Sequence, residues 1–171
     1  MRLVRRQLLV ADAGPLIALS VASVLGHTTA HFGGVWVPQA VLDECTGNTY
    51  APGAKEVAAA LAAKQLNVVA QSHILPLDAA YALGLGSGEA AVLSYALQHQ
   101  YLALVDDQKA HKMAALLGVL AVRTGAVLLA LKVAGRIPSI SPSLAALKRH
   151  GYYLAPSVVN NLLRLAGEVE S

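Results

Sequence analysis

The fold of this sequence is decided by residues 10–20, VADAGPLIALS. The apolar run 8–11 has the length and composition of a buried strand, and Gly14 and Pro15 mark a turn directly after it. Apolar residues continue beyond that turn, which predicts a helix over about 16–25. The segment therefore predicts a buried strand that leads through a short turn into a helix.

The same alternation of strand and helix continues along the chain. Further strands are predicted at 35–37, 67–70 and 102–105, and helices from Pro38, over 54–64, over 87–99, from the end of the last strand to 117, and then over 125–134, 144–150 and 157–166. Strands that are apolar on both faces and alternate with helices indicate a parallel sheet covered on both sides. We expect an α/β fold in which residues 1–171 form a single domain and residues 125–171 a helical C-terminal extension of it.

The composition excludes a disordered chain. Of the 171 residues 56% are apolar and 13% are charged, against about 25% charged in average proteins. The longest stretch without acids or bases, 13–42, is interrupted by glycines and prolines, so no membrane span is predicted. The basic start imitates a signal peptide, but Asp12 follows too early, and we expect a cytoplasmic protein. Cys45 is the only cysteine, which excludes an internal disulfide and a cysteine cage for zinc.

Five of the ten acids fall at predicted strand ends or helix termini, namely Asp12, Glu44, Glu89, Asp106 and Asp107. Ligand sites of parallel sheets lie at the carboxyl ends of the strands, so these side chains could face one crevice. Clustered carboxylates repel one another unless a cation neutralises them. Oxygen ligands favour Mg²⁺ or Mn²⁺, either of which can promote phosphodiester hydrolysis. Each acid taken alone could instead cap a helix or lie in its first turn.

The charge is distributed unevenly along the chain. Residues 1–107 carry five bases and eight acids, whereas residues 108–171 carry eight bases and two acids. Lys109, Lys112 and Arg123 follow the predicted strand end that carries Asp106. These three bases are candidates for contacts with the phosphates of an anionic polymer.

Four ordered segments resemble the PIN-domain family, which includes the VapC-like toxin ribonucleases. They are VADAGPLIALS with Asp12, VWVPQAVLDEC with Glu44, GLGSGEAAVLSYAL with Glu89, and LALVDDQKAHKMAALLGV with Asp106 and Asp107. The tail, with its GRIPS turn between helices, is similar to a PIN-like subgroup formerly of unknown function. The resemblance covers nearly the whole chain.

The resemblance implies a three-layer α/β/α sandwich with a mostly parallel sheet that hydrolyses RNA with Mg²⁺ or Mn²⁺. Asp12, Glu89 and Asp106 would be the catalytic metal carboxylates, Glu44 a second-rank metal ligand, and Asp107 a further one beside Asp106. It also implies the toxin of a toxin–antitoxin pair, with RNA and a small antitoxin protein as partners. A homodimer is expected as well, partly because so apolar a chain suggests a covered surface.

Alternatives remain open at this stage. Many PIN nucleases carry a further acid shortly after the position of Asp106, where this chain has Lys109 and His111. With fewer carboxylates, the site could bind one ion instead of two, or the protein could be a catalytically weak module that binds RNA or protein. The glycines of 84–88 resemble a phosphate cradle but lack the lysine of a P-loop. Tyr152 could stack on bases, although packing is the expectation for this side chain.

Overall fold

The sheet has five strands, all parallel, in the order β3-β2-β1-β4-β5. The computed structural model describes residues 7–78 and 84–169. The strands are β1 (Leu9–Ala11), β2 (Val35–Pro38), β3 (Asn67–Val69), β4 (Leu102–Leu104) and β5 (Ala121–Val122). Every residue of the central strands β1 and β4 is buried. The predicted parallel sheet is confirmed.

Helices flank the sheet and make it the middle layer of an α/β/α sandwich. In the described part of the chain they are α1 (Ala13–Val21), α2 (Leu25–Phe32), α3 (Gln39–Thr46), α4 (Ala54–Ala62), α5 (Ser87–His99), α6 (Gln108–Leu117), α7 (Thr124–Val133), α8 (Ser141–Arg149) and α9 (Pro156–Leu165). Helix α5 packs against β1, β2 and β4 and is buried along most of its length. The predicted α/β/α architecture is confirmed.

Helix α1 begins three residues earlier than predicted. The sequence places a turn at Gly14 and Pro15, but the structure continues directly from Asp12 into helix, and the Leu16 N–H donates to the Asp12 carbonyl over 3.0 Å. Pro15 lies in the first turn, where a backbone N–H has no partner within the helix, so its missing donor costs nothing. Asp12 is therefore held between the end of a strand and the start of a helix.

The helix predicted over 16–25 ends earlier, at Val21, and a second helix that the sequence analysis does not predict follows it. Ser23 takes a left-handed conformation with φ of 58° between the two, and α2 runs from Leu25 to Phe32. Gly33, with φ of 85°, ends α2, as glycine commonly does. No single helix among the described residues is long and apolar enough to span a membrane. Helices α1 and α2 reach the required length and apolarity only when they are counted together, and the chain bends by 114° between them.

Strand β5 was also missing from the prediction. Residues 121–122 lie only at intermediate depth and form too short a run to be recognised in the sequence, yet they pair with Ala103 and Leu104 of β4. This pairing brings the start of α7, at Thr124, to the carboxyl edge of the sheet beside Asp106.

The C-terminal extension is fastened near its end by Glu168. Its carboxylate accepts hydrogen bonds from Lys132 Nζ over 2.8 Å, from the Ile140 N–H over 2.7 Å and from the Ser141 N–H over 2.9 Å. Burial acts to raise the pKa of Glu168, but these donors outweigh it and lower the pKa to about 2. Leu162 of α9 packs directly on Gly125, where a Cβ would approach its methyl groups to 2.9 Å. These contacts join α9 to α7 and the start of α8.

Candidate active site

Two adjacent strands place the first two acids of the site. Asp12 follows β1 directly, and Asp106 lies two residues beyond the end of β4. The Asp12 N–H donates to the Leu104 carbonyl over 3.0 Å, which extends the β1–β4 pairing up to the acid. Both aspartates therefore lie at the carboxyl edge of the sheet, where the sequence predicts that they meet.

Asp12 is the centre of the acidic group. Burial is the largest cause that raises the pKa of its carboxyl group, and the charges of Glu89, Glu44 and Asp106 add to the rise. A hydrogen bond from the Ala13 N–H partly offsets it, and the pKa is about 6. Charges act at this strength only over short distances in a partly buried site. The structure thus brings three of the other four predicted acids near the partly buried carboxyl group of Asp12.

Gly88 allows these acids to approach α5. A Cβ at this position would lie 3.2 Å from Val41 Cγ2, 3.3 Å from Glu44 Oε2 and 3.6 Å from Asp12 Oδ1. Any larger side chain at Gly88 would press on the acids of β1 and α3. In the sequence this glycine resembles part of a phosphate cradle, whereas the structure gives it a packing role beside the carboxylates of Glu44 and Asp12.

Glu89 has two roles, one local and one in the site. Its carboxylate accepts a hydrogen bond from the Gly86 N–H over 2.9 Å, which satisfies a backbone donor at the start of α5. Its charge also acts on Asp12. The capping role that sequence reasoning allowed for Glu89 therefore coexists with its place in the acidic group.

Asp106 is held by donors from the C-terminal part of the chain. Its Oδ1 accepts from the Thr124 N–H over 2.8 Å, and its Oδ2 accepts from Thr124 Oγ1 over 2.6 Å and from the Tyr152 hydroxyl. Arg123 donates to the Asp106 carbonyl and, over 2.6 Å, to Gln108 Oε1. Arg123, predicted as a phosphate contact, thus holds the strand end that carries Asp106.

Tyr152 is the site residue that sequence reasoning missed. It lies in the connection between α8 and α9, and its hydroxyl would be 3.7 Å from a Cβ at Gly14, in the first turn of α1. Burial and the Asp106 charge raise the pKa of Tyr152 above its usual range, so the phenol stays protonated and donates. No sequence signal connects Tyr152 with an acid 46 residues away.

Asp107 faces the next helix. Its Oδ1 accepts from the Lys109 N–H over 2.7 Å and from the Ala110 N–H over 3.0 Å, which makes it the N-cap of α6. Nearby, His111 bonds the Val105 carbonyl through Nε2 over 2.8 Å. Helix capping, the alternative considered for Asp107, accounts for its contacts.

Two of the three predicted RNA-contacting bases are exposed on α6. Lys109 and Lys112 both face solvent within the first turns of this helix. Arg123 is exposed too, but its guanidinium group is engaged with Asp106 and Gln108. The lysines are therefore the better placed of the three for phosphate contacts.

The chemistry of the acids fits a divalent cation. Asp12, Glu44, Glu89 and Asp106 supply only carboxylate oxygens, the ligands that Mg²⁺ and Mn²⁺ prefer. Burial, and to a smaller extent the neighbouring negative charges, raises the pKa of Asp12, and a bound cation would oppose this rise. Within residues 7–78 and 84–169, no three His, Cys, Asp or Glu side chains stand close enough together to hold an ion as they are oriented. Ion binding would therefore require at least some of these side chains to move closer together than they stand here.

The nearby thiol is not a reactive group. Cys45 is buried and its Sγ lies 3.9 Å from the Ala13 carbonyl oxygen. Burial, with the charges of Glu44 and Asp12, raises the pKa of the Cys45 thiol to about 12. The thiol therefore stays protonated and is part of the packing near Asp12.

Comparison with known proteins gives one match that spans most of the chain. A family model described as DUF3368, PIN domain, matches residues 8–168. The curated proteins include no match to this sequence. The matched range contains every acid of the site and reaches Glu168 in the C-terminal extension.

Proposed function

Because the chain belongs to the PIN-domain family, a family of nuclease domains, we propose that it is an endoribonuclease that uses Mg²⁺ or Mn²⁺. One observation carries the proposal: the charges of Glu89, Glu44 and Asp106 converge on the partly buried carboxyl group of Asp12. A site that raises the pKa of its central acid in this way is suited to bind a cation at the strand ends.

The proposed roles of the residues follow from their positions. Asp12, Glu89 and Asp106 would hold the ion, with Glu44 as a further ligand from α3. The ion, when bound, supplies an activated water and positive charge for the phosphodiester. Arg123 keeps the end of β4 in place through the Asp106 carbonyl. Lys109 and Lys112, exposed at the start of α6, would bind the phosphates of the RNA strand.

The proposal is tested by cleavage of single-stranded RNA. The purified protein should cut RNA internally with millimolar Mn²⁺ or Mg²⁺, and excess EDTA should stop cleavage because the carboxylates alone cannot activate water. Restoring Mn²⁺ should restore the activity. Cleavage that continues unchanged in EDTA would contradict the metal dependence, and intact RNA under all these conditions would contradict the endoribonuclease proposal.

The two lysines should set the salt dependence of RNA binding. We expect Lys109→Gln with Lys112→Gln to weaken RNA binding and to reduce the slope of log K against log salt by about 0.7 per lysine for a single strand. Binding is measured by fluorescence anisotropy between 50 and 200 mM salt, roughly the range where this effect is large. Lys55→Gln, an exposed lysine of α4, is the matched control. An unchanged slope in the double variant would remove both lysines from the interface.

A second candidate is a PIN-like module with weak catalysis that binds RNA or protein. It is favoured by the arrangement of Asp106, whose carboxylate is already engaged by Thr124 and Tyr152. Calorimetry with Mn²⁺ separates the two candidates. A nuclease should bind Mn²⁺ at millimolar or lower concentration in a way that depends on Asp12, whereas a module without a competent site should not.

Exposed apolar side chains support a protein partner. Val133, Leu116 and Leu120 are 89, 77 and 65% exposed. We extend the proposal to the toxin of a toxin–antitoxin pair, with an antitoxin and a second copy of the chain as partners for such surfaces. A short reading frame for a DNA-binding protein immediately upstream of the gene would support this pairing.

A further inference from the structure

We propose that Tyr152 is a positioning residue of the acidic site, which fixes the Asp106 carboxylate for binding of the divalent ion. The proposal rests on the proposed function and assigns a part of that function to the C-terminal extension. It concerns the hydroxyl group of Tyr152, which touches Asp106, rather than any contact of the tyrosine with RNA.

The hydrogen bonds to Asp106 are divided unequally between its two carboxylate oxygens. Oδ2 accepts from two hydroxyl groups, those of Thr124 and Tyr152, whereas Oδ1 accepts from the Thr124 N–H. A carboxylate has about four lone-pair sites. Among the described residues, three donors therefore fill Oδ2 and half of Oδ1, which leaves one lone pair of Oδ1 for an ion.

The position of the Tyr152 hydroxyl is fixed by the backbone of its own segment and by its packing against α1. The Tyr152 N–H donates to the Leu147 carbonyl over 2.9 Å, which ties this residue to the end of α8. The hydroxyl lies above Gly14, where a Cβ would come within 3.7 Å of it. Since Gly14 is two residues after Asp12, the tyrosine reaches across from the Asp106 side of the site to the Asp12 side.

The donors on Asp106 restrict how its carboxylate can turn, because rotation breaks hydrogen bonds. Thr124 donates to both oxygens, and the Tyr152 hydroxyl adds a further donor on Oδ2 that rotation would also have to break. Partners that orient ligating carboxylates in this way typically contribute 10- to 100-fold to metal affinity or activity. Tyr152 supplies one of the two donors on Oδ2, so its loss should weaken ion binding without removing a ligand.

The test compares two adjacent tyrosines. Tyr152→Phe removes the hydroxyl and keeps the ring, and Tyr153→Phe is the matched control because Tyr153 is 81% exposed. We expect Tyr152→Phe to raise the Kd for Mn²⁺ about tenfold in calorimetry. The KM of Tyr152→Phe for RNA at saturating Mn²⁺ should stay at the wild-type value. In Tyr153→Phe both the Kd for Mn²⁺ and the KM for RNA should match the wild type. Thermal unfolding of both variants checks that the fold is retained.

The outcomes separate this inference from the proposed function. Wild-type protein that binds no Mn²⁺ would contradict both. Wild-type binding with an unchanged Kd in Tyr152→Phe would overturn only the role of Tyr152. Tighter Mn²⁺ binding in Tyr152→Phe would also overturn it, because the hydroxyl would then compete with the ion for Oδ2 instead of orienting the carboxylate.

Discussion

Asp12→Asn is expected to reduce Mn²⁺-dependent RNA cleavage by at least about 100-fold, more than the loss typical of a partner outside the ligand set. The substitution keeps the shape of the side chain, the hydrogen bond from Asp12 N–H to Leu104 and the start of α1. It removes the central negative charge of the acidic group, around which Glu44, Glu89 and Asp106 gather. Initial rates at several Mn²⁺ concentrations measure the effect.

Asp43→Asn is the matched control for this experiment. Asp43 is exposed on α3, next to Glu44 in the sequence, and its Oδ1 accepts from Gln39 Nε2 over 2.7 Å. The Asp43→Asn protein should cleave RNA at the wild-type rate. Cleavage by Asp12→Asn at a rate within a few-fold of the control would sink the assignment of Asp12 to the reacting site.

Asp12→Asn should also stabilise the fold at neutral pH. Burial and neighbouring charges raise the pKa of Asp12 from 3.8 to about 6, so the folded state keeps a proton on this group to a higher pH than the unfolded chain does. The stability that Asp12 contributes is therefore complete below about pH 4 and is lost as the pH rises through 6. A shift of this size corresponds to about 2 to 3 kcal/mol at pH 7.

Asparagine does not titrate, so the difference in stability between the two proteins should change with pH. In urea unfolding with EDTA, Asp12→Asn should exceed the wild type by about 2 to 3 kcal/mol at pH 7, and by clearly less at pH 4. Asp43→Asn again serves as the control and should show no such trend. A difference in stability that stays constant between pH 4 and pH 7 would mean that the folded structure does not raise the pKa of Asp12. Added Mn²⁺ at pH 7 should stabilise the wild type more than the variant, because only the wild type keeps all the carboxylates.

The parts of the fold that the sequence predicts are those with strong local signals. The run 8–11 and the run 102–105 are apolar without interruption, and each ends in aspartate, so both the central strands and their acids could be found. Their meeting at one edge followed from the parallel arrangement alone. The helix that begins at Ser87 was equally clear, since Glu89 stands in its first turn.

The parts that were missed depend on tertiary contacts. Helix α2 contains His27, His31 and two threonines, and its mixed composition hides the helix until Gly33 ends it. Strand β5 has only two residues and is defined by its pairing with β4. The role of Tyr152 depends on where the connection after α8 lies, which no local pattern specifies. The N-cap role of Asp107 was one of two possibilities, and only the geometry of α6 distinguishes them.

The contact between Tyr152 and Asp106 also has a consequence for the order in which the protein is made. Chains emerge from the ribosome N-terminus first, at about 5 to 20 residues per second. Asp12, Glu44, Glu89 and Asp106 are all synthesised before Thr124, and Thr124 before Tyr152. The donors that hold Asp106 in place are thus the last components of the site to be translated, and a nascent chain presents its carboxylates before it can orient them.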